Sequence, residues 1–184
     1  KQTCNLSDNE NFVVLECIHR LLLKGYKPSH IEIEKRWTLG HSQKSGRADI
    51  CVMNETGNDM LAIIECKTYG AEFENELKKL KADGGQLFSY YQQEQSTKWL
   101  MLYAAGFVNN KIEHQANTIS VFDTEEVLEK FTKNKSIKLY EDAHSKEKAF
   151  DVWKETYEQK SSGDLIFSDD TIAYNTVSYT HLTL

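Results

Sequence analysis

Three charged side chains stand in segments whose neighbours are apolar. Asp49 opens Asp49-Ile50-Cys51-Val52-Met53, and Glu65 and Lys67 close Ala62-Ile63-Ile64-Glu65-Cys66-Lys67. Between the two runs lies Asn54-Glu55-Thr56-Gly57-Asn58-Asp59, rich in turn residues, so the pair reads as a β-hairpin. A register in which Met53 faces Leu61 also sets Asp49 opposite Glu65, and opposed residues share a face with Cβ atoms ~4.5–5.5 Å apart. The period of two brings Lys67 to the same side as Glu65. One cluster of two carboxylates and an ammonium is the expected result.

Electrostatics decides what such a cluster needs. Two carboxylates ~4 Å apart repel by roughly 4 kcal/mol at an effective dielectric of about 20. A cation must offset that repulsion, or one group must stay protonated. Lys67 alone can serve, which gives a structural ion-pair triad. A divalent ion also serves: Mg²⁺ takes oxygen ligands, often only one or two carboxylates, and keeps its waters. Water activated in this way beside a lysine is what phosphodiester hydrolysis requires.

These side chains must be positioned by the surrounding elements. Ser7-x-x-Glu10 is a capping-box pattern preceding Phe12, Val13, Leu15, Ile18, Leu21 and Leu22 at helical spacing, which predicts a helix over 8–24 stopped by Gly25 and Pro28. Strands are expected at 31–39, 48–53, 61–67, 99–105 and, shorter, 118–122, with a polar loop at 40–47. The stretch 71–93 reads as one long helix containing the awkward pair Gly84-Gly85, where a kink or the close approach of another backbone would account for the glycines. Amphipathic helices are expected at 125–133 and 143–161. The order αβββαβ predicts an α/β fold, a mixed sheet with helices on both faces.

With those elements in place, the residues resemble a known family. Gly46-Arg47-Ala48-Asp49 followed by Ile63-Ile64-Glu65-Cys66-Lys67 looks like the PD-(D/E)xK nuclease motif, with Ala48 in place of the proline. Gln86-Leu87-Phe88-Ser89-Tyr90 matches the Gln-x-x-x-Tyr motif of the RecB-like branch. The stretch 11–123 is similar to the N-terminal nuclease domain of type I restriction endonuclease R subunits and of related fused restriction–methylase polypeptides. This resemblance implies a restriction-endonuclease-like mixed sheet core (αβββαβ) at 7–140; after it the residue pattern itself reads as a C-terminal amphipathic helix at 141–162 and a weakly structured or linker tail at 163–184. It also implies a Mg²⁺-dependent DNA endonuclease, with Mn²⁺ as a substitute, leaving a 5′-phosphate. Asp49, Glu65 and the backbone carbonyl of Cys66 would ligate the ion. Glu16, as the acid on the first helix, would complete or bridge the metal site. Lys67 would orient the attacking water or stabilise the phosphate. Gln86 and Tyr90, one helical turn apart, would contact DNA or couple the domain to its neighbours. Two alternatives stay open: a non-catalytic DNA-binding or docking module with this fold, and a RecB-like exonuclease.

Composition bounds these readings. The 184 residues are 40% hydrophobic and 27% charged, which suits one ordinary globular domain and excludes disorder. A net charge of -6 argues against an independent, high-affinity nucleic-acid binder. Locally, however, Lys35, Arg36, His41, Lys44 and Arg47 form a run without an acid that leads into Asp49, and Lys44 and Arg47 could position phosphates. Lys78, Lys79 and Lys81 follow on the next helix. Cys4, Cys17, Cys51 and Cys66 form no C-x-x-C pair, so zinc is not expected and a reducing cytoplasm is. No apolar run approaches the ~20 residues of a membrane span. The chain begins at Lys1 and reads as a piece of something longer. It carries no Gly-x-x-x-x-Gly-Lys-Ser/Thr phosphate loop and no methylase signature, so a helicase motor or methylase partner would lie outside it.

Overall fold

The computed structural model describes residues 5, 7–37, 46–121, 150 and 157. Within them the chain runs α1 (Asn9–Leu23), a 3₁₀ turn (Pro28–His30), β1 (Ile31–Arg36), β2 (Arg47–Met53), β3 (Met60–Thr68), α2 (Ala71–Asp83), α3 (Gly85–Tyr91), β4 (Trp99–Val108) and β5 (Lys111–Ser120). The five strands form one sheet in sequence order, antiparallel throughout except for the parallel pair β3–β4. Parallel neighbours need a crossover, and α2 and α3 supply it. This is the mixed α/β architecture expected of a restriction-endonuclease-like core.

Alternation along β3 and β4 builds a core on each face. Ala62, Ile64, Cys66, Met101, Tyr103 and Ala105 pack with Val13, Val14, Cys17 and Leu21 of α1. Ile63, Leu100, Leu102 and Ala104 pack with Phe73, Leu80, Leu87 and Phe88 of α2 and α3. Phe150 and Tyr157 are also buried in the α1-side core, where Tyr157 lies against Tyr26 at 4.8 Å between ring centres. The loop at 38–45 with Lys44, the helices expected at 125–133 and 143–161 (Phe150 and Tyr157 excepted), and the tail at 163–184 lie outside the described residues.

Three expectations need correction. The helix cap is Asp8 rather than Ser7: its carboxylate accepts the Glu10 amide at 3.1 Å, so no Ser7–Glu10 box closes α1. The long helix over 71–93 is two helices. Gly84 ends α2 in the left-handed region (φ 88°), where its amide bonds to the Leu80 carbonyl, and a Cβ there would stand 2.6 Å from that of Phe88. The last two strands are longer than expected. Asn109 and Asn110, both at positive φ (51° and 61°), make a two-residue turn that lets β4 and β5 pair along their whole length.

At the functional end of the hairpin the expected register holds, with Ile50 facing Ile64 and the next positions being Asp49 and Glu65. At the turn end, a bulge between Val52 and Met53 pairs Met53 with Met60 instead of Leu61.

Candidate active site

Asp49, Glu65 and Lys67 come together where β2 begins and β3 ends, beside the start of α1. The Lys67 ammonium lies 2.7 Å from Glu65 Oε1 and 2.9 Å from Glu10 Oε1. Asp49 Oδ2 accepts the Cys66 backbone N–H at 2.8 Å, which ties the aspartate to the middle residue of Glu65-Cys66-Lys67. A cavity of about 340 Å³ opens onto these residues, lined also by Arg47, Gln86 and Tyr90. A larger one of about 730 Å³, lined by Glu10 and Lys67, is also lined by Lys79 of α2 and Gln86 of α3.

The acid that α1 sends to this cluster is Glu10. Glu16, the residue expected there, is buried elsewhere: its carboxylate takes the Arg20 Nε–H at 2.5 Å and the Tyr103 hydroxyl of β4. Sequence reasoning missed Glu10 because Ser7-x-x-Glu10 already had a local explanation. With Asp8 serving as the cap, the Glu10 side chain is left to reach Lys67.

Charge burial gives the cluster its character. Glu65 is 3% exposed, and its second oxygen, Oε2, is buried without a hydrogen-bond partner. Burial, then the neighbouring Asp49 charge, pushes the Glu65 carboxyl up to about 7. Burial likewise raises Asp49, against the pull of the Cys66 N–H and Lys67. Burial pulls Lys67 down, but the Glu65 and Glu10 carboxylates more than compensate and hold its ammonium above the ordinary lysine value. One ammonium has not neutralised the pair, and the orphaned oxygen faces a deficit of positive charge.

A hard divalent cation fits that deficit. Asp49, Glu65 and the Cys66 carbonyl are an all-oxygen set, and two carboxylates suit Mg²⁺, which retains waters. Among the described residues no three His, Cys, Asp or Glu side chains are grouped closely enough to hold an ion by themselves. Glu16 has its carboxylate on Arg20 and Tyr103, so in this arrangement water would have to complete the shell.

The remaining expected residues divide. Gln86 is exposed at the mouth of the cavity, whereas Tyr90 is buried, donating to the Arg47 carbonyl at 2.6 Å and stacking on Trp37 at 5.7 Å between ring centres. Burial, then the Glu65 and Asp49 charges and a hydrogen bond with Glu65, holds the Tyr90 phenol above its ordinary value, so it stays a donor. Arg47 reaches the site with its guanidinium 3.6 Å from Glu34. Cys17, Cys51 and Cys66 are free and buried, with burial pushing the Cys51 thiol up to about 12. Among the described residues no helix is long and apolar enough to cross a membrane.

A family model described as Type I restriction enzyme R protein N terminus (HSDR_N) matches residues 9–115. That span contains α1, all of β1 to β4 and every residue of the cluster. No curated protein matches the chain.

Proposed function

The chain belongs to the family of type I restriction enzyme R protein N termini, and we propose that it is the Mg²⁺-dependent DNA-cleaving unit of such an enzyme. DNA and the other restriction-enzyme subunits are the partners this family implies. The observation that carries the catalytic reading is the pairing of half-buried Asp49 with buried Glu65, under-neutralised by Lys67 and open to a cavity of about 340 Å³.

Each side chain then has a task. Asp49, Glu65 and the Cys66 carbonyl hold the cation, which when bound lowers the pKa of water and offsets the phosphate charge. Lys67, fixed between Glu65 and Glu10, presents its ammonium to the attacking water or to the charge that builds on the phosphate oxygens. Arg47 and Gln86 line the same cavity and contact the DNA backbone. The acidic net charge is compatible with this role if other domains supply most of the DNA affinity.

Mn²⁺ titration of the 184-residue chain, followed by electron paramagnetic resonance, tests the proposal. Wild type should bind Mn²⁺, and Asp49→Asn should lose that binding while keeping its circular dichroism spectrum. A structural triad would leave the free-ion signal unchanged in both. In the R protein, normal cutting by a folded Glu65→Ala variant would refute the assignment.

A further inference from the structure

Asp49 is the one residue of β2 that the ladders do not hold within its paired span. Pairing with β1 passes from Ile33–Ile50 to Lys35–Ala48 and skips the Glu34–Asp49 rung, and Glu34 itself lies at a positive φ of 54°. Pairing with β3 stops at Ile50–Ile64. Rungs on either side, Ile33–Ile50 and Lys35–Ala48, hold the strand, and two further contacts act at the level of the skipped one. One is the Cys66 N–H on its own carboxylate. The other is the Tyr90 hydroxyl on the carbonyl of Arg47, two residues upstream.

Tyr90 is built into that place. Its ring stacks on Trp37, and it lies so close to the strand that a Cβ on Gly46 would stand 3.0 Å from its Cε1. Gln86 Nε2 approaches the same hydroxyl at 3.4 Å from one turn earlier on α3. The same phenol also stands against the Glu65 carboxyl, and a tyrosine that is 3% exposed with its hydroxyl held in this way is poorly placed to read DNA.

We propose that Tyr90 is a positioning residue: through the Arg47 carbonyl it fixes residues 46–49 so that the Asp49 carboxylate faces Glu65. The aspartate's role as a cation ligand rests on the function proposed above; the mechanical link between Tyr90 and the Asp49 backbone does not. Outer contacts that orient a metal ligand change metal affinity by about 10–100-fold when removed.

Tyr90→Phe in the 184-residue chain deletes the hydroxyl and keeps the ring. Backbone amides of residues 46–50 should exchange with deuterium faster than in wild type, while amides of β3 and β4 are unchanged. Mn²⁺ affinity should fall by about tenfold. In the R protein, kcat should fall with KM for DNA within twofold. Unchanged exchange at 46–50 would overturn the proposal, as would a raised KM with unchanged kcat, the signature of a DNA contact. If wild type binds no Mn²⁺, the nuclease reading fails and the exchange data alone decide the positioning role. If Tyr90→Phe does not fold, Gly46→Ala displaces the ring from the strand side and is read by the same measurements.

Discussion

Two buried glutamates in this molecule each have a cation and a tyrosine close by, yet they are opposite in kind. Glu16 is a closed arrangement: Arg20 takes one carboxylate oxygen and the Tyr103 hydroxyl the other, linking α1 to β4. Glu65 is open: Lys67 takes one oxygen at 2.7 Å, Oε2 has no partner within hydrogen-bond distance, Asp49 adds a second negative charge, and the nearby Tyr90 hydroxyl makes its short bond to the Arg47 carbonyl. A satisfied buried charge holds elements together. An unsatisfied one next to a cavity must take up a proton or a further positive charge, and that is the physical mark of a site.

Exchanging substitutions between the two glutamates probes this contrast most strongly. Glu65→Ala should lower DNA cleavage by the R protein about a thousandfold, whereas Glu16→Ala should leave the rate per folded molecule within a few-fold. Stability should move the other way. Glu16→Ala strands Arg20 and the Tyr103 hydroxyl and should cost roughly 3 kcal/mol in urea denaturation. A Glu16→Ala protein as stable as wild type would remove the structural half of the contrast.

Titration of the open glutamate is the next effect. The Glu65 carboxyl is raised to about 7 in the fold from an ordinary value of 4.5. Between those values the folded chain holds a proton that the unfolded chain has lost, so stability falls as pH rises through this window. The loss is at most roughly 3 kcal/mol, since a tenfold difference in proton affinity between folded and unfolded chain is worth about 1.4 kcal/mol. Urea denaturation of the metal-free chain should show this decline, Glu65→Gln should lack it, and saturating Mn²⁺ should suppress it. A wild-type profile that is flat from pH 4.5 to 7 would mean that Glu65 is already neutralised.

The open cluster was largely legible in the sequence because it rests on local rules. Three charges in apolar strands and a short polar connection were enough to place Asp49 next to Glu65, even though a bulge shifted the turn end. The choice between Glu10 and Glu16 was not legible. Both lie on α1, and helical periodicity says nothing about which end of a helix overhangs the sheet; that follows from how Val13, Val14, Cys17 and Leu21 dock on β3 and β4. The division of the long helix was visible only as an unexplained Gly-Gly pair. The far half of the β4–β5 hairpin went unread because Lys111–Gln115 is polar and Asn109-Asn110 is a weaker turn signal than Asn-Gly.

That missed distinction between the two helix acids supplies the smallest effect and the sharpest one. Glu10 is 39% exposed in its side chain and Glu16 only 7%, although each pairs with a cation at hydrogen-bond distance. An exposed pair contributes little to folding, so Glu10→Gln should change stability by no more than about 0.5 kcal/mol. Its carboxylate nevertheless holds the Lys67 ammonium at 2.9 Å, and without that contact Glu65 is the ammonium's one remaining carboxylate partner among the described residues. Cleavage should therefore fall by about tenfold, the lower end of the loss seen when an outer contact that orients a site group is removed. Glu16→Ala should reverse both results, with stability lost and rate retained. If Glu10→Gln cut DNA at the wild-type rate, α1 would contribute to the fold alone, and Asp49, Glu65 and Lys67 would have to account for the chemistry unaided.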